Sequence, residues 1–364
     1  MTEREDLAIR ALATPAAVSA WSDERLGILV GQARAAGLLG RIAQTVKASG
    51  MSAWPAGAVG HLESAARVAR AQQAEVRREI GHLSKALASL DAPKVLLKGA
   101  AYVAAGLPAA FGRVFSDIDV MVPESKLAQA ESLLMLAGWM PVELTAYDNR
   151  YYREWAHELP PMEHVHRHTT LDVHHTILPR TSRLKPVASL LFDAARPLAG
   201  HDGLFVLAPP DMVLHSMTHL FTNDDMSHAL RDLSDLDLLL RHFPAHEPQF
   251  WEHLLESAQR HGLQRPLHYG LRHAHGILGT PIPGDVMVRA ERWGPRWSWP
   301  MDWLWRRVLR SPHRDSDLPG RALALLALYL RGHWLRMPPG LLVRHLTVKT
   351  FGLHKRGALG AQGG

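Results

Sequence analysis

The chain has 364 residues, no cysteine and a formal net charge of +6, with 41 Lys and Arg against 35 Asp and Glu. Without cysteine there is no disulfide, no thiolate metal site and no Cys nucleophile, which agrees with a reducing, cytoplasmic setting. The basic excess favours an anionic partner such as a nucleotide, nucleic acid or a membrane surface.

In chain order, residues 1–92 read as helical. Glu5 to Ala13 forms a short helix stopped by Pro15, and Ser22-Asp23-Glu24 starts another. Leu26 to Val46 carries apolar residues at helical spacing, and a turn precedes Pro55. Val59 to Leu90 predicts one long helix with a stripe through Leu62, Val76, Ile80, Leu83 and Leu87, ended by Asp91-Ala92-Pro93.

Residues 93–180 change character. Val95-Leu96-Leu97 is an apolar strand, Lys98-Gly99 a turn, and Ala100 to Ala105 a helix stopped by Gly106 and Pro108. Ser116 to Val122 alternates, so Asp117 and Asp119 share one face and Ile118, Val120 and Val122 the other. Two carboxylates about 4 Å apart repel by roughly 4 kcal/mol at an effective dielectric near 20. A shared proton or a divalent cation relieves that repulsion. Hard oxygen ligands beside a glycine turn suit Mg²⁺ with a phosphate substrate. The plain alternative is an edge strand with two solvated aspartates; Lys98-Gly99 and Arg113 weigh against it.

A helix follows from Ser125 to Ala137, then a strand from Trp139 to Leu144 and an irregular aromatic stretch from Tyr147 to Pro161. Met162–Arg167 and Thr170–Ile177 read as a hairpin, with Asp172 and His174 on one face. If this strand neighbours the earlier one, Asp172 completes a three-carboxylate cluster. His164, His166 and His168 alternate, which would set them on one strand face as candidate metal ligands. With no HExxH and no cysteine, structural or substrate-side histidines are the better reading.

From Thr181 onward the chain reads as mostly helical, with helices from Met212 to Phe221, Ala229 to His242, Phe250 to His261 and Arg265 to Leu278. In the second of these Leu230, Leu233, Leu236 and Leu240 form the apolar stripe, and Arg231, Asp232 and Asp235 fall on polar positions. Arg289 to Arg314 is rich in Arg and Trp. That composition suits nucleic acid or a membrane surface, but Pro295 and Pro300 break it, which favours tryptophans buried in a helical surface. The N-terminus lacks an apolar signal core, and the longest apolar run, Ala322 to Leu330, is too short for a bilayer span of about 20 residues, so no stable membrane insertion is expected. The Gly-rich tail, 356–364, is expected to be disordered.

The combination resembles the uncharacterised nucleotidyltransferase family of the DNA polymerase β-like superfamily. Leu97-Lys98-Gly99, Arg113 with Ser116-Asp117-Ile118-Asp119-Val120, and Leu171-Asp172-Val173-His174 carry the resemblance. His219 and Leu230 to Leu236 resemble that family's helical part. It implies an α+β fold, a small mixed β-sheet nucleotidyltransferase core at 93–180 flanked by helical regions at 1–92 and 181–355. It implies an NTP co-substrate and two Mg²⁺ ions held by Asp117, Asp119 and Asp172, which are also the catalytic residues. Lys98, Gly99, Arg113, Ser116 and His174 would line the nucleotide and acceptor positions. An NMP, AMP among the candidates, would pass to an acceptor hydroxyl on a small molecule, sugar, peptide or RNA end. Two departures stand out: the turn lacks the usual Gly-Ser, and Asp172 stands where Glu is common. The alternative from another class is a catalytically inactive partner that binds nucleotide or protein on the same fold.

Overall fold

The computed structural model describes residues 5–48 and 56–344; Pro55 and the tail 356–364 lie outside them. Local signals set the first elements. Asp6 caps Leu7–Ala13 by accepting from Ile9 N–H, and Ser22 caps Asp23–Ala35 by accepting from Arg25 N–H. The apolar run 26–46 is two helices, Asp23–Ala35 and Leu39–Ala48. The break falls at Gly37, whose φ of +67° closes the first helix, while Leu38 N–H turns back to Ala33 C=O. The long helix spans Ala56–Ala86. Buried Lys94 donates to Leu90 C=O (3.2 Å) just beyond that helix, tying its exit to the start of the sheet.

The sheet has seven strands: β1 (Lys94–Leu97), β2 (Asp117–Met121), β3 (Trp139–Pro141), β4 (Met162–His164), β5 (Thr170–His174), β6 (Arg196–Pro197) and β7 (Leu204–Val206). Their spatial order is β3-β4-β5-β2-β1-β7-β6. It is mixed: β2 runs parallel to β5 and β1 parallel to β7, while β1 and β2 are antiparallel. Helices flank it at both ends of the chain, so the architecture is α+β. Val95, Leu96, Ile118, Val120, Leu171 and Val173 enter one apolar core with Ile80, Leu83 and Leu87 of the long helix. The N-terminal helices have their own cluster around Leu29, Leu38, Ile42 and Leu62.

Three sequence expectations are corrected here. Lys98-Gly99 is no turn: β1 passes directly into the helix Lys98–Ala104, with Lys98 itself at φ +43°. A non-glycine residue in that left-handed region costs about 1–2 kcal/mol, held here by the flanking strand and helix. The aromatic stretch Tyr147 to Pro161 is irregular only from residue 155 on; Ala146–Glu154 is a helix, capped by Thr145 accepting from Asp148 N–H. The hairpin is shorter than its pattern, because His168 N–H turns back to His164 C=O at φ +54°. His166 and His168 therefore sit in the turn, and the alternating set of three does not share a strand face. The region after Thr181 is mostly helical, as its pattern predicts, and its short strands β6 and β7 extend the sheet beyond β1.

The remaining helices follow their patterns: Pro209–Thr222, Ala229–His246, Phe250–Arg260 and Gln264–Leu278. In the Arg/Trp-rich segment Trp305 is fully buried, but Trp297 and Trp299 are each 70% exposed. Burial of the tryptophans is thus only partial. No helix among the described residues is long and apolar enough to cross a membrane.

Candidate active site at the centre of the sheet

Three adjacent strands, β5, β2 and β1, place the predicted acids and base together. On the parallel pair Asp119 stands opposite Asp172 and Asp117 opposite Thr170. Register partners project to the same face, so Asp117, Asp119, Asp172 and His174 all stand on one side of the sheet. On the other flank Leu97 pairs with Asp119, which brings the following Lys98 over the same carboxylate.

Asp119 is the hub. Lys98 Nζ donates to its Oδ1 at 3.0 Å, and His174 Nε2 lies 2.9 Å from the same oxygen. Burial works to raise the Asp119 pKa, but Lys98 and His174 outweigh it and hold the carboxyl well below its usual range. Asp172 has the opposite fate. Burial, then the neighbouring charges of Glu158 and Asp119, push it up to about 7. Its Oδ1 is buried and makes no hydrogen bond among the described residues. Asp117 is half-buried at the strand entrance and accepts from Ser116 Oγ at 3.0 Å.

Gly99 earns its place by packing. A Cβ there would press on Arg113 Nη1 and lie 2.8 Å from the Phe115 ring. Arg113 stacks over Phe115 at 5.1 Å and is fixed by Asp235, with Nε to Oδ2 at 3.0 Å. Asp235 also pairs with buried Arg41 at 2.7 Å, and Arg41 donates to Ser234 and to Ala109 C=O. Asp235 is therefore not on a solvated polar face, as its helix pattern suggested. It is a buried anchor that ties the N-terminal helices and Arg113 to the helix Ala229–His246.

These side chains border a cleft of about 310 Å³. Lys98, Gly99, Ser116, Asp117 and Asp119 line it together with Arg113, His219, His228, Arg231 and Asp232. Burial followed by the Lys98 charge keeps the His219 imidazole neutral, with a pKa well below the usual value. So Lys98, Gly99, Arg113, Ser116, Asp117 and Asp119 share this cleft, and Asp172 and His174 stand beside it on the next strand.

Sequence reasoning missed Glu158 and His157. Glu158 forms a backbone bridge with His174, so it joins the same face, with Oε2 3.3 Å from His174 Nδ1. His157 lies next to it, Nε2 to Glu158 Oε2 at 3.5 Å. The available signal was the register: extending the hairpin back from β4 runs residues 157–159 along the end of β5. A second cavity, also about 310 Å³, opens across the loop that follows Thr222. Leu144, Tyr151, Tyr152, Asp224, His333 and Arg336 line it. Tyr152 senses both Glu158 and Asp172; burial first and then those charges raise its pKa to about 12.

An oxygen-rich face of this kind suits hard divalent cations, and the buried unpartnered Oδ1 of Asp172 is an acceptor that such an ion would satisfy. As the side chains stand, donor atoms converge within 4.8 Å of one another only for His157, Glu158 and His174 among the described residues.

A family profile described as uncharacterised nucleotidyltransferase matches residues 24–279, which takes in both carboxylate strands, Lys98, the Asp235 anchor and most of the helices behind them. No curated protein and no solved structure matches the chain significantly. With a match over well more than half its length, the chain belongs to the uncharacterised nucleotidyltransferase family.

Proposed function

We propose that the protein moves a nucleoside monophosphate from an NTP to the hydroxyl of a small acceptor. The observation that carries this reading is the common face of Asp117, Asp119 and Asp172 beside Lys98. Asp117, Asp119 and Asp172 would hold divalent cations, Mg²⁺ by their all-oxygen donor set. Bound there, the ions would offset phosphate charge and make the acceptor hydroxyl easier to ionise.

The chain's own groups divide the remaining work. The triphosphate is placed in the cleft where Lys98, Arg113 and Arg231 stand among Asp117, Asp119, Asp232 and Asp235, so bound cations would be needed to offset the carboxylates there. Ser116 steadies Asp117, and His174 steadies Asp119. The acceptor oxygen attacks the α-phosphorus, the bond from that phosphorus to the bridging oxygen of the β-phosphate breaks, and pyrophosphate leaves with the electron pair. Asp172 takes the hydroxyl proton at its second carboxylate oxygen, leaving the buried Oδ1 for the cation.

The aromatic cavity beside Asp172 is the acceptor side. Its lining holds one arginine, Arg336, paired with Asp224 at 2.7 Å, against Lys98, Arg113 and Arg231 in the cleft, so it offers less for a polyanion. Tyr151 and Tyr152 give it flat, apolar walls with hydroxyl tips. That favours an uncharged small molecule with a ring over an RNA end.

The test is incubation with α-phosphate-labelled NTPs, Mg²⁺ and a fractionated small-molecule extract. Labelled product that disappears in Asp117→Ala/Asp119→Ala supports the reading, and labelling that survives the double substitution overturns it. Tight binding of ATP with Mg²⁺ in calorimetry, with no transfer across a broad acceptor panel, would instead identify an inactive nucleotide-binding relative.

A further inference from the structure

We propose that His157, Glu158 and His174 form a transition-metal site of their own, next to the aspartate face and chemically distinct from it. One donor atom from each lies within 4.8 Å of the other two. The two measured edges are 3.3 Å, from Glu158 Oε2 to His174 Nδ1, and 3.5 Å, from Glu158 Oε2 to His157 Nε2. Nitrogen and oxygen ligands at roughly 2.0–2.1 Å from a tetrahedral ion stand about 3.3 Å apart, so both edges already have the required length.

The second shell fits at His174, while the buried Nδ1 of His157 has no hydrogen-bond partner among the described residues. A metal-bound imidazole almost always donates its other N–H to a carboxylate or carbonyl, which fixes the tautomer and orients the ring. His174 Nε2 lies 2.9 Å from Asp119 Oδ1. That contact places the proton on Nε2 and turns the Nδ1 lone pair toward Glu158. The backbone holds the ligands in place: Leu159 N–H donates to Val173 C=O and His175 N–H to His157 C=O, each at 2.9 Å. Neither ligand-bearing strand needs to move.

The charge environment is mixed. Glu158, Asp119 and Asp172 attract a cation, while Lys98 and Arg336 oppose it. The His174 side chain is 3% exposed, whereas those of His157 and Glu158 are each 18% exposed, so the site opens to solvent on one side. Two imidazoles and one carboxylate with an open position suit Zn²⁺ and its neighbours in the series, and suit Mg²⁺ poorly. The site is independent of the nucleotidyl-transfer reading and is tested without it.

The experiment uses the full chain after EDTA dialysis, titrated with Co²⁺ and followed by visible absorption, then with Zn²⁺ by calorimetry in millimolar Mg²⁺. The expected result is one equivalent of Co²⁺ with the intense visible bands of a four- or five-coordinate nitrogen-bearing site, displaced by Zn²⁺ and not by Mg²⁺. His157→Ala and Glu158→Gln should each weaken binding by at least about tenfold, since even outer-shell losses cost that much. Asp117→Asn should leave it unchanged. Circular dichroism and melting of each variant establish that it is folded, and His157→Gln replaces His157→Ala if the latter is not. Absence of the bands in the wild type overturns the proposal. So does Co²⁺ binding that survives both ligand substitutions, or binding that is lost in Asp117→Asn.

Discussion

Asp119 and Asp172 are register partners on the parallel strands β2 and β5, yet only Asp119 has its charge compensated. Lys98 and His174 both bind Asp119, and Asp172 is left with a buried, unpartnered oxygen. One carboxyl is thereby held low and the other raised to about 7. Two carboxyls whose environments drive them apart are what the proposed division of roles between Asp119 and Asp172 requires.

This asymmetry sets a pH dependence of stability in metal-free protein. Between the ordinary Asp value of 3.8 and about 7, folded Asp172 holds a proton that the unfolded chain has lost. The folded state then binds more protons, so this group lowers stability as pH rises through that window, by at most about 1.4 kcal/mol per pH unit. Asp172→Asn removes the effect. Urea denaturation in EDTA should show the variant matching the wild type near pH 4 and exceeding it at pH 8, while nucleotidyl transfer is lost. A variant less stable than the wild type at pH 8 would contradict the assignment.

Lys98 combines a strained backbone with a counter-charge. Lys98→Met leaves Asp119 buried with His174 alone and should cost about 1–3 kcal/mol, short of the full buried-pair penalty because Lys98 is 21% exposed. Lys98→Gly loses the same ammonium but relieves the left-handed conformation at φ +43°. It should therefore be more stable than Lys98→Met by about 1 kcal/mol, with activity equally low. Chemical denaturation of the pair reads this directly, and the reverse order would mean that the backbone at Lys98 is not strained.

Asp235 is expected to behave as a positioning residue. It joins Arg41 and Arg113 in a buried pairing, both with side chains no more than 11% exposed. Asp235→Asn strands two buried cations and should cost about 3–5 kcal/mol. If the protein stays folded, Arg113 loses its tether and the KM for NTP should rise. A normal KM with a lowered melting temperature would make Arg113 a purely structural partner of Asp235.

Much of this site was legible because strands alternate. Asp117 and Asp119 share a face by period two alone, as do Asp172 and His174, and parallel pairing did the rest. Glu158 was hidden, since it pairs only through an isolated bridge ahead of β4 and is followed by Pro160-Pro161, which read as loop and mask the register. Asp235 looked solvated because helical periodicity gives a face and not its neighbour; Arg41, far away in sequence, supplies the neighbour. Strands of two and three residues, such as β6 and β7, carry too short a pattern to stand out. Lys98-Gly99 misled for a related reason. Glycine reads as a turn, but here its missing Cβ makes room for Arg113 and Phe115.

Tyr152 separates the two cavities experimentally. It lines the aromatic cavity and not the cleft of Lys98 and Asp117, and its hydroxyl, with a pKa near 12, remains a hydrogen-bond donor at neutral pH. Tyr152→Ala removes the ring wall, and Tyr152→Phe removes only the donor. If the acceptor lies against this ring, Tyr152→Ala should raise the acceptor KM about tenfold, the equivalent of roughly 1.4 kcal/mol, with NTP affinity by calorimetry unchanged. Tyr152→Phe should fall between that variant and the wild type. The acceptor for this measurement is the labelled product's parent, purified from the extract fraction that supports transfer. Should Tyr152→Ala weaken ATP binding and leave the acceptor KM alone, the two cavities exchange roles, and the nucleotide base would lie where the acceptor is now placed.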